Sequence, residues 1–306
     1  MIVLRFPSQF TGSNFYSMFT MISNSELIEN KLYSEILIDY KDITFIDTEG
    51  TNYLILIPFL LKSYGKIKVS LPESNPVLNY LRSVGALKII EENFDILYSS
   101  YRVRDFKIYE ESYISSLQRS IFVNRDSNET DCFLALESYM NFRNFSSETL
   151  SRMSKCIFEL IYNIFEHSGK SYGVISTFVR KNLNSYKYND KAVFCMTISD
   201  IGMGIKKSML KSNLYVNEKN IESVPDEEFI LSALKKGISS TNNINRGLGL
   251  YNVNEISDTL TITSGSCRLV SKNKSSSDKR IIEKEQIPLL KGTSISVAMK
   301  IDKNEL

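Results

Sequence analysis

Histidine is nearly missing from this sequence: His167 is the only one in 306 residues. A metal site that needs two histidines is excluded, and a Ser–His or Cys–His catalytic pair would have to use that one side chain. The four cysteines, Cys132, Cys156, Cys195 and Cys267, lie far apart and form no Cys-x-x-Cys pair. That spacing argues against a zinc site, and a chain of this size does not call for a disulfide framework. A reducing cytoplasmic compartment is expected. No charge of one sign dominates, with 37 basic against 35 acidic side chains and a formal net charge of +2. The overall field therefore gives no reason to expect nucleic acid or an anionic membrane as the main partner. Long apolar runs are missing too. The longest, YLILIPFLL near 53–61, falls short of the about 20 residues needed to span a bilayer. The start, MIVLRFPSQF, has no basic stretch leading into an apolar run and a cleavage site, so no targeting segment is expected. There is no internal repeat. The polar stretch SKNKSSSDKR (271–280) is short and reads as a surface loop.

What is present is enough for buried cores. Hydrophobic residues make up 42% of the chain, and the length suggests about two domains. In the first hundred residues two periods alternate. IVLRF (2–6), EILIDY (35–40), ITFI (43–46), KIKVSL (66–71) and FDILY (94–98) read as strands. Residues 13–30 are expected to form a helix with Phe15, Phe19, Ile22 and Leu27 turned inward. A second helix is expected over about 51–64, kinked or cut short by Pro58, and a third starts over Pro76 to Leu81. Strands alternating with helices predict a partly parallel, layered α/β domain.

The segment EILIDYKDITFIDTEGTNYLI, an apolar strand running into Asp47-Thr48-Glu49-Gly50, resembles the core motif of STAS domains over about 35–90. In that family the motif is Asp-Ser-Ser-Gly, and its second serine is the regulatory phosphorylation site. Here Thr48 and Glu49 hold the two serine places. A glutamate accepts no phosphoryl group, and a negative charge is tolerated at a helix N-terminus, so Glu49 is read as helping to cap the helix. Residues 1–100 are thus expected to be STAS-like, with 101–130 a helical linker.

The second half carries four further elements. SSETLSRMSKCIFELIYNIFEHS (146–168) is capped by Ser146 or Ser147, with Glu148 in its first turn. Leu150, Met153, Ile157, Leu160, Ile161 and Ile164 recur at helical spacing. Glu159 and Asn163, four residues apart, share one face, and His167 follows one turn later. VFCMTISDIGMGI (193–205) is an apolar strand ending in Asp200, then Gly202 and Gly204. Such an ending sets a carboxylate at a pocket rim and lets a flat ligand approach the backbone. Pro225 and Asp226 begin a helix that Gly237 ends. Arg246-Gly247-Leu248-Gly249-Leu250 opens another, where bare amides and small residues suit phosphate. KGTSISVAMKI (291–301) is a strand with Gly292-Thr293 at its start.

In this order the four elements resemble the GHKL (Bergerat-fold) ATP-binding domain shared by gyrase, MutL, histidine kinases and anti-sigma serine kinases. The resemblance covers roughly 130–303 and implies a GHKL α/β sandwich over 131–306, with an ATP lid at about 206–246. It implies that Asn163 coordinates Mg²⁺ bridging the phosphates and that Glu159 acts as general base. It implies that Asp200 accepts the adenine amino proton, with Gly202 and Gly204 beside the base and Thr293 near Asp200. Arg246, Gly247, Leu248 and Gly249 would lie at the phosphates, where Arg246 could equally be a solvated lid residue and Leu248 packing. His167 is read as structural.

ATP and Mg²⁺ are the implied cofactors. The only histidine falls inside the ATP-site helix, so histidine autophosphorylation is not expected. The chain ends just after the Gly-Thr strand, where gyrase and MutL carry a transducer domain. The anti-sigma kinase group, whose ATPase domains work against STAS partners, is the nearest remaining type. Two functions stay open: an ATPase or serine/threonine kinase regulating a protein partner in trans, and a nucleotide-gated binding switch with little turnover. A homodimer is compatible with the resemblance.

Overall fold

β-branched and aromatic runs in the first hundred residues build one parallel sheet. The computed structural model describes all residues except 16, 19–32, 98–118, 125–126, 141–144, 168–171, 182–190, 212–222, 236–248, 274–279 and 303–306. The chain is mixed α/β, with parallel and antiparallel sheets. It divides into two compact units, Met1–Phe122 with Val174–Phe178, and Val123–Gly173 with Val179–Leu306.

The first unit runs β1 (Ile2–Arg5), β2 (Gln9–Phe10), β3 (Tyr33–Asp39), β4 (Phe45–Ile46), α1 (Thr48–Leu61), β5 (Gly65–Ser70), α2 (Asn75–Ser83), α3 (Ala86–Asn93) and β6 (Asp95–Leu97). Its four-stranded sheet has the order β1-β3-β5-β6 with every pair parallel. Parallel neighbours need crossover connections, which α1 provides from β3 to β5 and α2 with α3 from β5 to β6. β2 and β4 form a separate two-residue parallel pair. Of the helix expected over 13–30, Phe15 is buried, while Phe19, Ile22 and Leu27 lie outside the described residues.

Helix α1 departs from expectation in two ways. Its capping side chain is Asp47, which accepts from Gly50 N at 2.7 Å and also from Gly12 N at 2.9 Å. Glu49 lies in the first turn, is buried, and sits against Gly12 so closely that a Cβ there would meet its Oε2. Pro58 does not end the helix, which continues to Leu61. Proline lacks the amide that would bond the Leu54 carbonyl one turn back. The buried Tyr40 hydroxyl donates to that Leu54 oxygen instead, at 2.8 Å. Tyr40→Phe should therefore cost about 1–3 kcal/mol, because it strands a buried acceptor. Chemical denaturation would measure this, and an unchanged unfolding midpoint would reject the proline-compensation argument.

The expected linker over 101–130 is corrected at its end. Arg119–Val123 is a strand, β7, because the run Ile121-Phe122-Val123 is β-branched and aromatic. The rest of that stretch up to 118 lies outside the described residues.

The rest of the chain runs α4 (Glu129–Met140), α5 (Ser147–His167), β8 (Gly173–Lys181), β9 (Lys191–Asp200), α6 (Gly204–Leu210), α7 (Asp226–Ala233), α8 (Gly249–Ile256), β10 (Thr259–Asn273) and β11 (Arg280–Asp302), all in the second unit except the Val174–Phe178 stretch of β8. β10, β11 and β9 are antiparallel neighbours in that order. The β9–β11 register runs unbroken from Asp200 opposite Thr293 to Lys191 opposite Asp302. Part of the stretch expected as a lid is packed helix: Ser208 and Met209 on α6 and Phe229 and Ile230 on α7 are buried. Among the described residues, no helix is long and apolar enough to cross a membrane.

Candidate functional site

Helix α5 buries Met153, Cys156, Ile157, Leu160, Ile161 and Ile164, as its period requires, with Leu150 only half-buried. Ser146 caps it, its hydroxyl accepting from Thr149 N at 3.2 Å. Glu159 and Asn163 stand on the half-exposed side. The Asn163 amide nitrogen is buried and has no hydrogen-bond partner among the described residues. Buried amides are normally paired, so an orphan of this kind marks a place for a ligand or water.

Glu159 faces the start of α8. A Cβ added at Gly249 would lie 2.8 Å from Glu159 Oε2, so a side chain there would displace this carboxylate. At the other end, Arg152 Nη2 donates to the Ile256 carbonyl at 2.8 Å. Helix α8 thus lies antiparallel along α5.

Asp200 ends β9 and is buried, at 8% exposure. Its Oδ1 accepts from Gly202 N at 2.7 Å, and the Thr293 amide also hydrogen-bonds the carboxylate. Burial pushes the carboxyl up to about 7, and the two amides offset part of that rise. Two glycines in left-handed conformation shape the corner around it, Gly204 at φ 79° and Gly292 at φ 96°. A Cβ at Gly292 would fall 2.0 Å from the Asp200 carbonyl oxygen, and one at Gly204 would fall 3.2 Å from the Gly292 oxygen. The corner needs a residue without a side chain at both places.

Gly173 lies where α5 passes close to the end of β9. A Cβ there would meet Ile164, next to Asn163, at 3.1 Å and the carbonyl of Ser199, next to Asp200, at 3.3 Å.

The structure thus brings Asp200, Gly202, Gly204 and Thr293 into one corner and sets Glu159 against Gly249, with Asn163 one turn along α5. Arg246, Gly247 and Leu248 lie outside the described residues, as does Gly237. One residue was missed. Ser264, on β10, accepts from Ile205 N at 3.0 Å, donates to the Gly292 carbonyl at 3.2 Å, and lies 3.3 Å from Thr293 Oγ1. Its only signal is Gly265, a glycine inside a strand-like run, which marks the irregular register at that point.

Among the described residues, no group of three His, Cys, Asp or Glu could hold a metal. No family model matches the chain, and no curated protein matches it.

Proposed function

We propose that the second unit is a GHKL (Bergerat-type) ATP-binding domain, that the first is STAS-like, and that the chain is an ATPase or serine/threonine kinase regulating a protein partner. The observation that carries this is the Asp200 corner. A buried carboxylate is held by two amides between two glycines in left-handed conformation, and α5 separately carries Glu159 and an Asn163 amide nitrogen with no partner among the described residues.

The residues fit the ligand class. An ionised Asp200 accepts the exocyclic amino proton of adenine, and the absence of side chains at Gly204 and Gly292 leaves the base room at the backbone. Gly249, with Arg246, Gly247 and Leu248 before it, would serve the phosphates at the first turn of α8. Asn163 would offer its amide oxygen to Mg²⁺, a hard cation that keeps several waters and spreads phosphate charge when bound. A half-turn of the amide exchanges its nitrogen and oxygen, so the buried site accepts either kind of partner.

Glu159 supplies the proton acceptor. It would take a proton from the attacking water as the new P–O bond forms and the bond to the β-phosphate oxygen breaks, leaving ADP and phosphate. With a serine or threonine hydroxyl as nucleophile, the same proton movement gives a phosphorylated partner and ADP. Phosphorylation within the STAS-like motif is chemically barred at Glu49, which has no hydroxyl, and its burial keeps the carboxylate from presenting a surface charge. The alternative, a nucleotide-gated switch, would keep the Asp200 corner and have no use for Glu159.

Incubation of the purified chain with γ-labelled ATP and Mg²⁺ separates these readings. Released phosphate or a labelled partner supports the enzyme. Saturable binding without either supports the switch. Absence of binding rejects the ATP site.

A further inference from the structure

The geometry points to Ser264 as the positioning residue of the Asp200 corner, setting nucleotide affinity from a strand that bears none of the recognised motifs. This rests on the ATP-binding reading and adds a component to it. The Ser264 hydroxyl has one proton and two lone pairs. All three are placed. It donates to the Gly292 carbonyl, accepts from the Ile205 amide, and pairs with the Thr293 hydroxyl. Those partners belong to two different elements that both shape the corner. Ile205 follows Gly204 at the start of α6, and Gly292-Thr293 lies at the register irregularity of β11, where the Thr293 amide reaches the Asp200 carboxylate. The group is buried, at 2% exposure, so water does not replace a lost partner cheaply.

The position is also shaped around it. β10 changes register between Ser264 and Gly265, and Gly265 takes φ 61°. A Cβ at Gly204 would come 3.1 Å from the Ser264 hydroxyl, so the glycine that admits the ligand also admits this bond. Removing the hydroxyl would free the start of α6 and the Gly292-Thr293 segment of β11, and loosen the Thr293 amide from the carboxylate. The ionised carboxylate would then lose a donor, while its burial stays. No charged side chain among the described residues acts on Asp200; burial and two amides do. The neighbouring cations are engaged elsewhere or exposed: Lys206 donates to the Val224 carbonyl and lies over the Phe229 ring, and Lys291 faces solvent.

The test compares the full chain with Ser264→Ala, Ser264→Thr and Thr293→Val. Equilibrium binding of Mg·ATP is measured from pH 6 to 8.5, alongside the pH dependence of the thermal midpoint without nucleotide. Ser264→Ala should weaken binding about tenfold at pH 7, the effect of one lost buried hydrogen bond. It should also move the Asp200 titration, read against Asp200→Asn, to higher pH, and leave turnover per bound nucleotide within about threefold. Ser264→Thr, which keeps the hydroxyl, should restore the parent titration. If Ser264→Ala does not fold, Thr293→Val removes one partner of the same hydroxyl and should shift the titration in the same direction. Parent-like affinity and titration in the alanine or valine variant would overturn the inference while leaving the ATP site standing. A shifted titration in a chain that binds no ATP would retain the positioning role and reject the ligand.

Discussion

Glu159→Ala is expected to lower ATP turnover by about 10²–10⁴ while changing Mg·ATP affinity by no more than about threefold. Glu159 lies one helical turn before Asn163 on the half-exposed side of α5, and its Oε2 abuts Gly249, where α8 begins. If the phosphates lie at that helix start, Glu159 is the carboxylate within reach of an attacking water, while the adenine lies in a different corner. Its loss then touches the proton transfer and little of the binding. Glu159→Gln sharpens the test, since it keeps the shape beside Gly249 and removes the base. Steady-state hydrolysis and equilibrium binding on the same preparations measure both halves. Undiminished hydrolysis in either variant would remove Glu159 from the chemistry.

Asp200→Asn is expected to do two opposite things. It should weaken ATP binding by at least about tenfold at pH 8, because an amide has one acceptor oxygen where the carboxylate has two, and two backbone amides already compete for them. It should also stabilise the protein without nucleotide. The folded carboxyl titrates at about 7, above the ordinary 3.8. Below about pH 4 both folded and unfolded states hold the proton, and burial of this group costs nothing from ionisation. Between about pH 4 and 7 the unfolded state releases the proton first, so stability falls as pH rises, and above 7 the full penalty applies. The difference of about three units sets an upper bound of about 4 kcal/mol. The variant should therefore gain thermal stability at pH 8 and show no such gain near pH 4. Differential scanning calorimetry at the two pH values decides it, and equal stabilisation at both would mean that ionisation of Asp200 is not the cause. The same titration predicts that ATP affinity of the parent rises with pH through about 7, since only the ionised carboxylate accepts the adenine proton.

Much of the architecture was legible because it rests on strong local signals. The period of Met153, Ile157, Leu160, Ile161 and Ile164 placed α5, and the apolar run into Asp200 placed β9 and its end. Asp200, Gly202, Gly204 and Thr293 meet because β9 pairs with β11 in the register that sets Asp200 opposite Thr293. That pairing is long-range and is invisible to any window on the chain. The long strand β10 had no counterpart among the expected elements, since TLTITSGSC mixes alternation with a serine-glycine break that reads as a turn. Ser264 was lost with it. Pro58 does not cut the helix short for a related reason: the Tyr40 hydroxyl, from a neighbouring strand end, satisfies the carbonyl that proline leaves open. Glu49 was read as helping to cap because its charge suits a helix N-terminus; it does lie in the first turn, and the capping side chain is Asp47.

The central claim is that the Asp200 corner binds ATP, and direct titration of ATP into parent and Asp200→Asn protein at pH 8 tests it. Saturable one-to-one binding to the parent and at least about tenfold weaker binding to the variant are expected. Equal isotherms for the two proteins, or no binding to the parent at about 1 mM ATP, would contradict it.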